Sequence, residues 1–179
     1  MFVLLAVPLG VVLGFLVGGR LDRLGQLTFR WPWLAIGGLI VQVLLFAPVV
    51  AERIPADVGA VIYVLSTAAV LAAVVRNVRI PGMVLVVLGA LSNLAAVVSN
   101  GGVMPTTSPA LAAAGLAPTD GFSNSAVLAD PRLGPLTDIF AIPAGFPMAN
   151  VFSFGDVLIG LGIVVVVAVA MRRSKALTD

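Results

Sequence analysis

The sequence predicts an all-α polytopic membrane protein: a bundle of about five transmembrane helices with one long extracytoplasmic loop, in a single integral domain over residues 1–179. Three observations predict it. First, 60% of the residues are hydrophobic and only 10% are charged, where a soluble domain carries roughly a quarter charged residues. A protein core of this size cannot hide so much apolar surface, so the remaining solvent is lipid. Second, the apolar residues gather into five runs of similar length. Third, threading those runs alternately across a bilayer puts eight of the ten basic residues on one side.

The runs cover residues 2–18, 33–50, 58–75, 81–98 and 154–171. None exceeds about 18 residues, or about 27 Å of helix, slightly less than a hydrocarbon core of about 30 Å, so steep tilts are not expected. No segment shows the alternation of a barrel strand. The first run has no basic stretch before it and no small-residue cleavage site, which favours a retained span over a signal peptide. Arg20, Arg23, Arg30, Arg76, Arg79, Arg172, Arg173 and Lys175 fall on one side of the spans, and Arg53 and Arg132 on the other. By the positive-inside rule the amino terminus is outside and the carboxyl terminus cytoplasmic. Glu52, Asp57, Asp120, Asp130 and Asp138 fall on the outer side, and Trp31 and Trp33 sit where an interfacial anchor belongs.

Residues 99–149 form the long outer loop, rich in Pro, Gly, Ser and Thr and without Lys or Glu. Its apolar content argues against a disordered linker and for a packed or functional loop. Within it "SPALAAAGL" reads as a short helix, with Ser108 as N-cap, Pro109 in the first turn and Gly115 as the stop. "DPRLGPLTDIF" and "AIPAGFP" read as successive turns joined by apolar pieces. No internal repeat is apparent.

Several reactions are excluded by composition. With no Cys there is no disulfide or thiolate chemistry, and with no His the commonest general base and metal ligand are missing. No Lys lies within a span, and no phosphate loop or metal-ligand spacing appears. No cofactor or metal is expected, no catalytic residue is assigned, and the absence of a basic patch with interleaved aromatics leaves nucleic acid an unlikely partner. The acids Asp120, Asp130 and Asp138 match no calcium-loop spacing and read as solvated loop residues.

Polar and small residues inside the apolar runs give the candidate sites. Gly10, Gly14 and Gly18 recur every fourth residue and line one helix face, where another backbone can approach. Gly89, Asn93, Ala96 and Asn100 form a small-and-polar stripe up the outer half of the fourth span. Gly101 and Gly102 release that helix, and Pro105 prevents its resumption. Ser153 and Asp156 open the last span in a capping-box spacing, although Glu or Gln is the usual partner. An acid just inside an apolar span is costly, which makes Asp156 a candidate for function as well as for capping. Gln42, Ser66 and Thr67 lie near mid-span. Interhelical hydrogen bonds are their ordinary role, but with Asn93, Asn100 and Asp156 they also suggest a polar track inward from the outer surface. Asn100 is expected to meet Asp156 where the fourth and fifth spans approach each other.

The elements "SNGGVMP" and "VFSFGD", separated by the long loop, resemble a family of small bacterial integral membrane proteins known only as a domain of unknown function. The resemblance covers nearly the whole chain. It implies a location in the bacterial inner membrane and supplies no activity, substrate or site residue. The leading expectation is a ligand-, lipid-headgroup- or ion-binding or transport-accessory protein, with an outward-facing polar pocket walled by spans two to five. A structural subunit docking on a membrane-protein partner, or a homo-oligomer, is the alternative. A lipid-modifying enzyme is the least favoured.

Overall fold

A computed structural model describes residues 2–117 and 122–172. Asp120, Arg173 and Lys175 lie outside the described residues. The chain is mostly helical: α1 (Ala6–Leu16), entered through a 3-10 turn at Phe2–Leu5, α2 (Pro32–Leu45), α3 (Pro48–Ala51), α4 (Ala56–Arg76), α5 (Met83–Ser99), α6 (Ser108–Ala114) and α7 (Phe154–Arg172). Among the described residues, four three-residue strands, β1 (Met104–Thr106), β2 (Ser125–Val127), β3 (Phe140–Ile142) and β4 (Asn150–Phe152), lie between α5 and α7. Among the described residues, α4 and α7 are long and apolar enough to cross a membrane, whereas α1, α2 and α5 are shorter apolar helices.

The five expected runs are all helical, although the helices differ from them in their bounds. The second run breaks after Leu45, and Pro48 opens the separate turn of α3, because a proline lacks the amide to continue α2. The fourth run starts at Met83, after a Pro81–Gly82 turn. Gly82 has φ +91°, and a Cβ there would lie 2.5 Å from the Gly162 carbonyl. Only glycine fits that backbone and that gap.

The helices pack chiefly as a row, in the order α2, α4, α5, α7, α1, rather than around a central core. The tightest seam is α5 on α7. Two glycines seven residues apart on each helix face each other in antiparallel register, Gly82 with Gly162 and Gly89 with Gly155. A Cβ at Gly89 would overlap the Gly155 carbonyl oxygen, and one at Gly162 would come within 2.6 Å of Val86. On the other side of α7, Gly10 faces Val164 and Val167, and Gly14 faces Met171. Gly18 does not share that face. It lies beyond the end of α1, at φ +78°, with no atom near where a Cβ would be.

The end of the row opposite the long loop gathers the basic residues. The Arg20 amide donates to the Met171 carbonyl (2.9 Å) and the Arg23 guanidinium to the Arg172 carbonyl (3.0 Å), so arginine segments finish the carboxyl end of α7. Cations suit that end of a helix dipole. Arg76 lies 5.8 Å over the Trp31 ring. Buried Asn77 ends α4, donating to the Ala73 carbonyl and joining both the N–H and the C=O of Arg30, each at 2.7 Å.

Over the other end the long loop folds into a cap. β1 and β2 pair in parallel, Met104 beside Ser125 and Thr106 beside Val127, while β3 and β4 pair antiparallel. Thr106 also bridges to Asp138, so β1 has a neighbour on both sides. These short pairings replace what reads in sequence as turns and apolar pieces. α6 forms as expected but with a different cap. Thr107 is the last extended residue and accepts from the Ala110 amide at 3.3 Å, leaving Ser108 already helical.

Candidate functional site

The cap encloses a cavity of about 710 Å³ above the start of α7. Its apolar wall includes Leu111 of α6, Phe122 and Val151, and its polar wall includes Thr106, Asn124, Ser125, Asn150, Asp138 and Asp156. From the helical row come only Ala56, at the start of α4, and Asp156, so the lining belongs mostly to the loop. The expected pocket walled by spans two to five is corrected on that point. The helices pack chiefly as a row, and this space lies at their ends.

Asp156 belongs to a closed network. Its N–H donates to Ser153 Oγ (3.0 Å), and the Ser153 N–H donates to Asp156 Oδ2 (3.1 Å), which is a reciprocal capping box with Asp in the Glu position. Asn93 of α5 completes the ring. Its Nδ2 donates to Asp156 Oδ1 and its Oδ1 accepts from the Ser153 hydroxyl, both at 2.8 Å. Ser153 is wholly buried. The absence of a side chain at Gly155 makes this approach possible, because a Cβ there would overlap Asn93 Oδ1. Capping and interhelical bonding are therefore done by one carboxylate.

Asp138 is held differently. Its backbone is fixed in the cap: its N–H donates to the Pro105 carbonyl (2.9 Å), and its carbonyl accepts from Thr106 Oγ1 (3.2 Å). The residue is 8% exposed, and Oδ1 has no hydrogen-bond partner among the described residues. Burial pushes its carboxyl up to about 7; the Asp156 charge adds to the rise, and the positive amino terminus opposes it to a smaller degree. Ser125 Oγ, on the same cavity wall, is also buried without a partner. The reading of Asp138 as a solvated loop acid is thus corrected. The strand bridge to Thr106 draws it under the cap. Among the described residues, no group of three or more acidic side chains is placed to hold a metal ion.

The remaining sequence candidates separate into distinct places. Asn100 does not meet Asp156. α7 starts level with Asn93, two turns below the end of α5, so Asn100 projects into the cap. There it donates to the Ala96 carbonyl (2.7 Å) and joins the N–H and C=O of Arg132, each at 2.8 Å. Gln42 donates to Thr67 Oγ1 across α2 and α4 at 3.1 Å. Ser66 donates to the Tyr63 carbonyl one turn back. Among the described residues no side-chain hydrogen bond links these three to Asn93 or Asp156, so the continuous polar track is not formed. Sequence reasoning weighed Asp138 only as a divalent-cation ligand and set it aside as a solvated acid, and it did not single out Ser125 or Asn77. No local pattern marked Asp138 for burial, and for Asn77 the signal was an asparagine at the end of a long apolar run.

Residues 26–168 match the family model described as a family of unknown function, DUF5317, and the chain therefore belongs to that family. No curated protein and no solved structure matches it.

Proposed function

We propose that this member of DUF5317 is a five-span protein of the bacterial inner membrane that binds a small ligand in the cavity under its outer cap. In this reading the amino terminus is outside and the carboxyl terminus cytoplasmic. Membrane insertion draws support from the row of apolar helices. Only 17% of the most apolar window of α4 and 33% of that of α7 are buried, too little for core helices of a soluble protein. Exposed Leu16, Trp33, Val43 and Leu65 then face lipid. The gathering of Arg20, Arg23, Arg76 and Arg172 at the end opposite the cap agrees with a cytoplasmic side.

The observation that carries ligand binding is Asp138: a carboxylate more than nine-tenths buried, on the wall of a 710 Å³ cavity, with an oxygen that no described residue satisfies. Buried polar atoms are nearly always partnered, so an exception at a cavity wall points to a missing partner. A lipid-modifying reaction with Asp156 as acid or base has less support, since both its oxygens are held by donors.

A second reading, a structural subunit of a larger membrane complex, is favoured by the apolar groove along α2 and α4. Trp33, Gly37, Val41, Ile62 and Leu65 line it, and Gly37 faces open space. One purification separates the two readings. Native mass spectrometry of the chain extracted with its own lipids is expected to find one small compound bound, and Leu116→Trp, at the exposed cavity rim, is expected to displace it. An empty chain accompanied by a stoichiometric protein partner would overturn ligand binding in favour of the complex.

A further inference from the structure

Resting on the reading of this cavity as a ligand site, we propose that its ligand is a small organic cation: an ammonium or guanidinium group on an apolar body, with the charge against Asp138 and Asp156. Sign is the first argument. The described lining contains two carboxylates and no Lys or Arg, so an anion would be repelled from both. Asp138 Oδ1 and Ser125 Oγ, both without partners, are acceptors for N–H groups on one wall.

Size and surroundings disfavour the simpler cations. A bare metal ion is held best by several converging carboxylates, and among the described residues no group of three acids is placed to do so, which favours a molecular cation. A cavity of 710 Å³ has room for a molecule, and Leu111, Phe122 and Val151 supply an apolar surface for its body. Phe122 is itself rigidly placed, stacked on Phe46 with ring centroids 6.0 Å apart and packed against Gly59 of α4.

Binding is coupled to a proton. Burial pushes the Asp138 carboxyl up to about 7, with the Asp156 charge on α7 adding to the rise, and the Tyr63 hydroxyl of α4 lies within electrostatic reach of it. A cation arriving at protonated Asp138 displaces that proton to solvent, and binding weakens as pH falls through about 7. A free amine and an amine-bearing lipid headgroup share this chemistry.

The test uses the full chain in phosphatidylglycerol nanodiscs, with calorimetric titration of phenethylammonium, its neutral isostere phenethyl alcohol, phenylacetate and magnesium chloride. Phenethylammonium is expected to bind, about tenfold more weakly at about pH 6 than at about pH 8, and the other three are expected to give no saturable heat. Asp138→Asn is expected to abolish binding, and Leu116→Trp to do so without touching either carboxylate. Nanodiscs containing phosphatidylethanolamine separate the sources: competition with the probe identifies a lipid amine, and its absence a free one. Equal binding of the alcohol, or undiminished binding by a folded Asp138→Asn variant, overturns the cation while leaving a ligand pocket standing. If no probe binds and no native compound copurifies, the cation and the pocket both fall.

Discussion

The α5–α7 seam and the cap above it bury polar groups in opposite ways, and the two acids that line the cavity show the contrast. Asp156 sits at the seam with both carboxylate oxygens bonded, inside a ring of four hydrogen bonds to Ser153 and Asn93. Asp138 sits in the cap, more deeply buried, with one oxygen left without a partner. The seam meets the cost of a buried charge with short local bonds that also define which helix ends where. The cap leaves that cost standing at a cavity wall. The polar groups of the seam are closed on one another, whereas Asp138 is left open at the cavity wall.

The largest effect is expected at the seam. Gly155→Leu drives a side chain into Asn93 Oδ1 and the Gly89 carbonyl. Neither can retreat, one being main chain and the other fixed in the ring. Little or no folded, monodisperse protein is expected after size-exclusion chromatography in mild detergent. A variant that elutes and melts like the parent would remove the close seam from the description.

The next effect separates the acids by pH. Asp138 is raised in the folded protein to about 7 from an ordinary 3.8, so between those values the folded state holds more protons than the unfolded one. Its contribution to stability is fully present below about pH 4 and is lost as pH rises through about 7, an upper bound on the order of 4 kcal/mol. Asp138→Asn should flatten the fall in melting temperature between about pH 4 and about pH 8. Parallel curves for parent and variant would place Asp138 in water.

Breaking the ring by Asn93→Leu leaves the Ser153 hydroxyl and an Asp156 oxygen without their partner. The expected cost is about 2 kcal/mol in detergent unfolding, the ordinary penalty for an orphaned buried group. A loss below that of the following variant would mean that water replaces Asn93 freely. The smallest effect is expected at Gln42→Leu, which removes one bond between α2 and α4 worth about 0.6 kcal/mol.

Much of the helical architecture was legible in the sequence because it depends on local rules. Runs of apolar residues became helices, Gly115 and the Gly101–Gly102 pair ended theirs, and the Ser153–Asp156 spacing closed as a capping box. What was not legible depends on the level at which two distant helices meet. The stripe ending in Asn100 pointed to Asp156, but the Gly82–Gly162 and Gly89–Gly155 contacts set α7 two turns lower, opposite Asn93. Asn100 then finds the Arg132 backbone, just as Asn77, at the end of α4, finds that of Arg30. Asp138 was illegible for a related reason. Its burial comes from a bridge to Thr106, 32 residues away, and no local pattern announces a three-residue strand in a proline-rich loop.

The most direct measurement places the cap and the arginine-rich end on opposite sides of a membrane. The chain has no cysteine, so single cysteines report without background, and Gly145 in the cap and Gly25 at the other end both have open space where a Cβ would sit. α2, α4 and α5 lie between them, which in the proposed arrangement is an odd number of crossings. In intact cells a membrane-impermeant thiol reagent should label Gly145→Cys at once and Gly25→Cys only after permeabilisation. Equal labelling of both in intact cells would contradict a cap carried on membrane-spanning helices, and with it an outward-facing site.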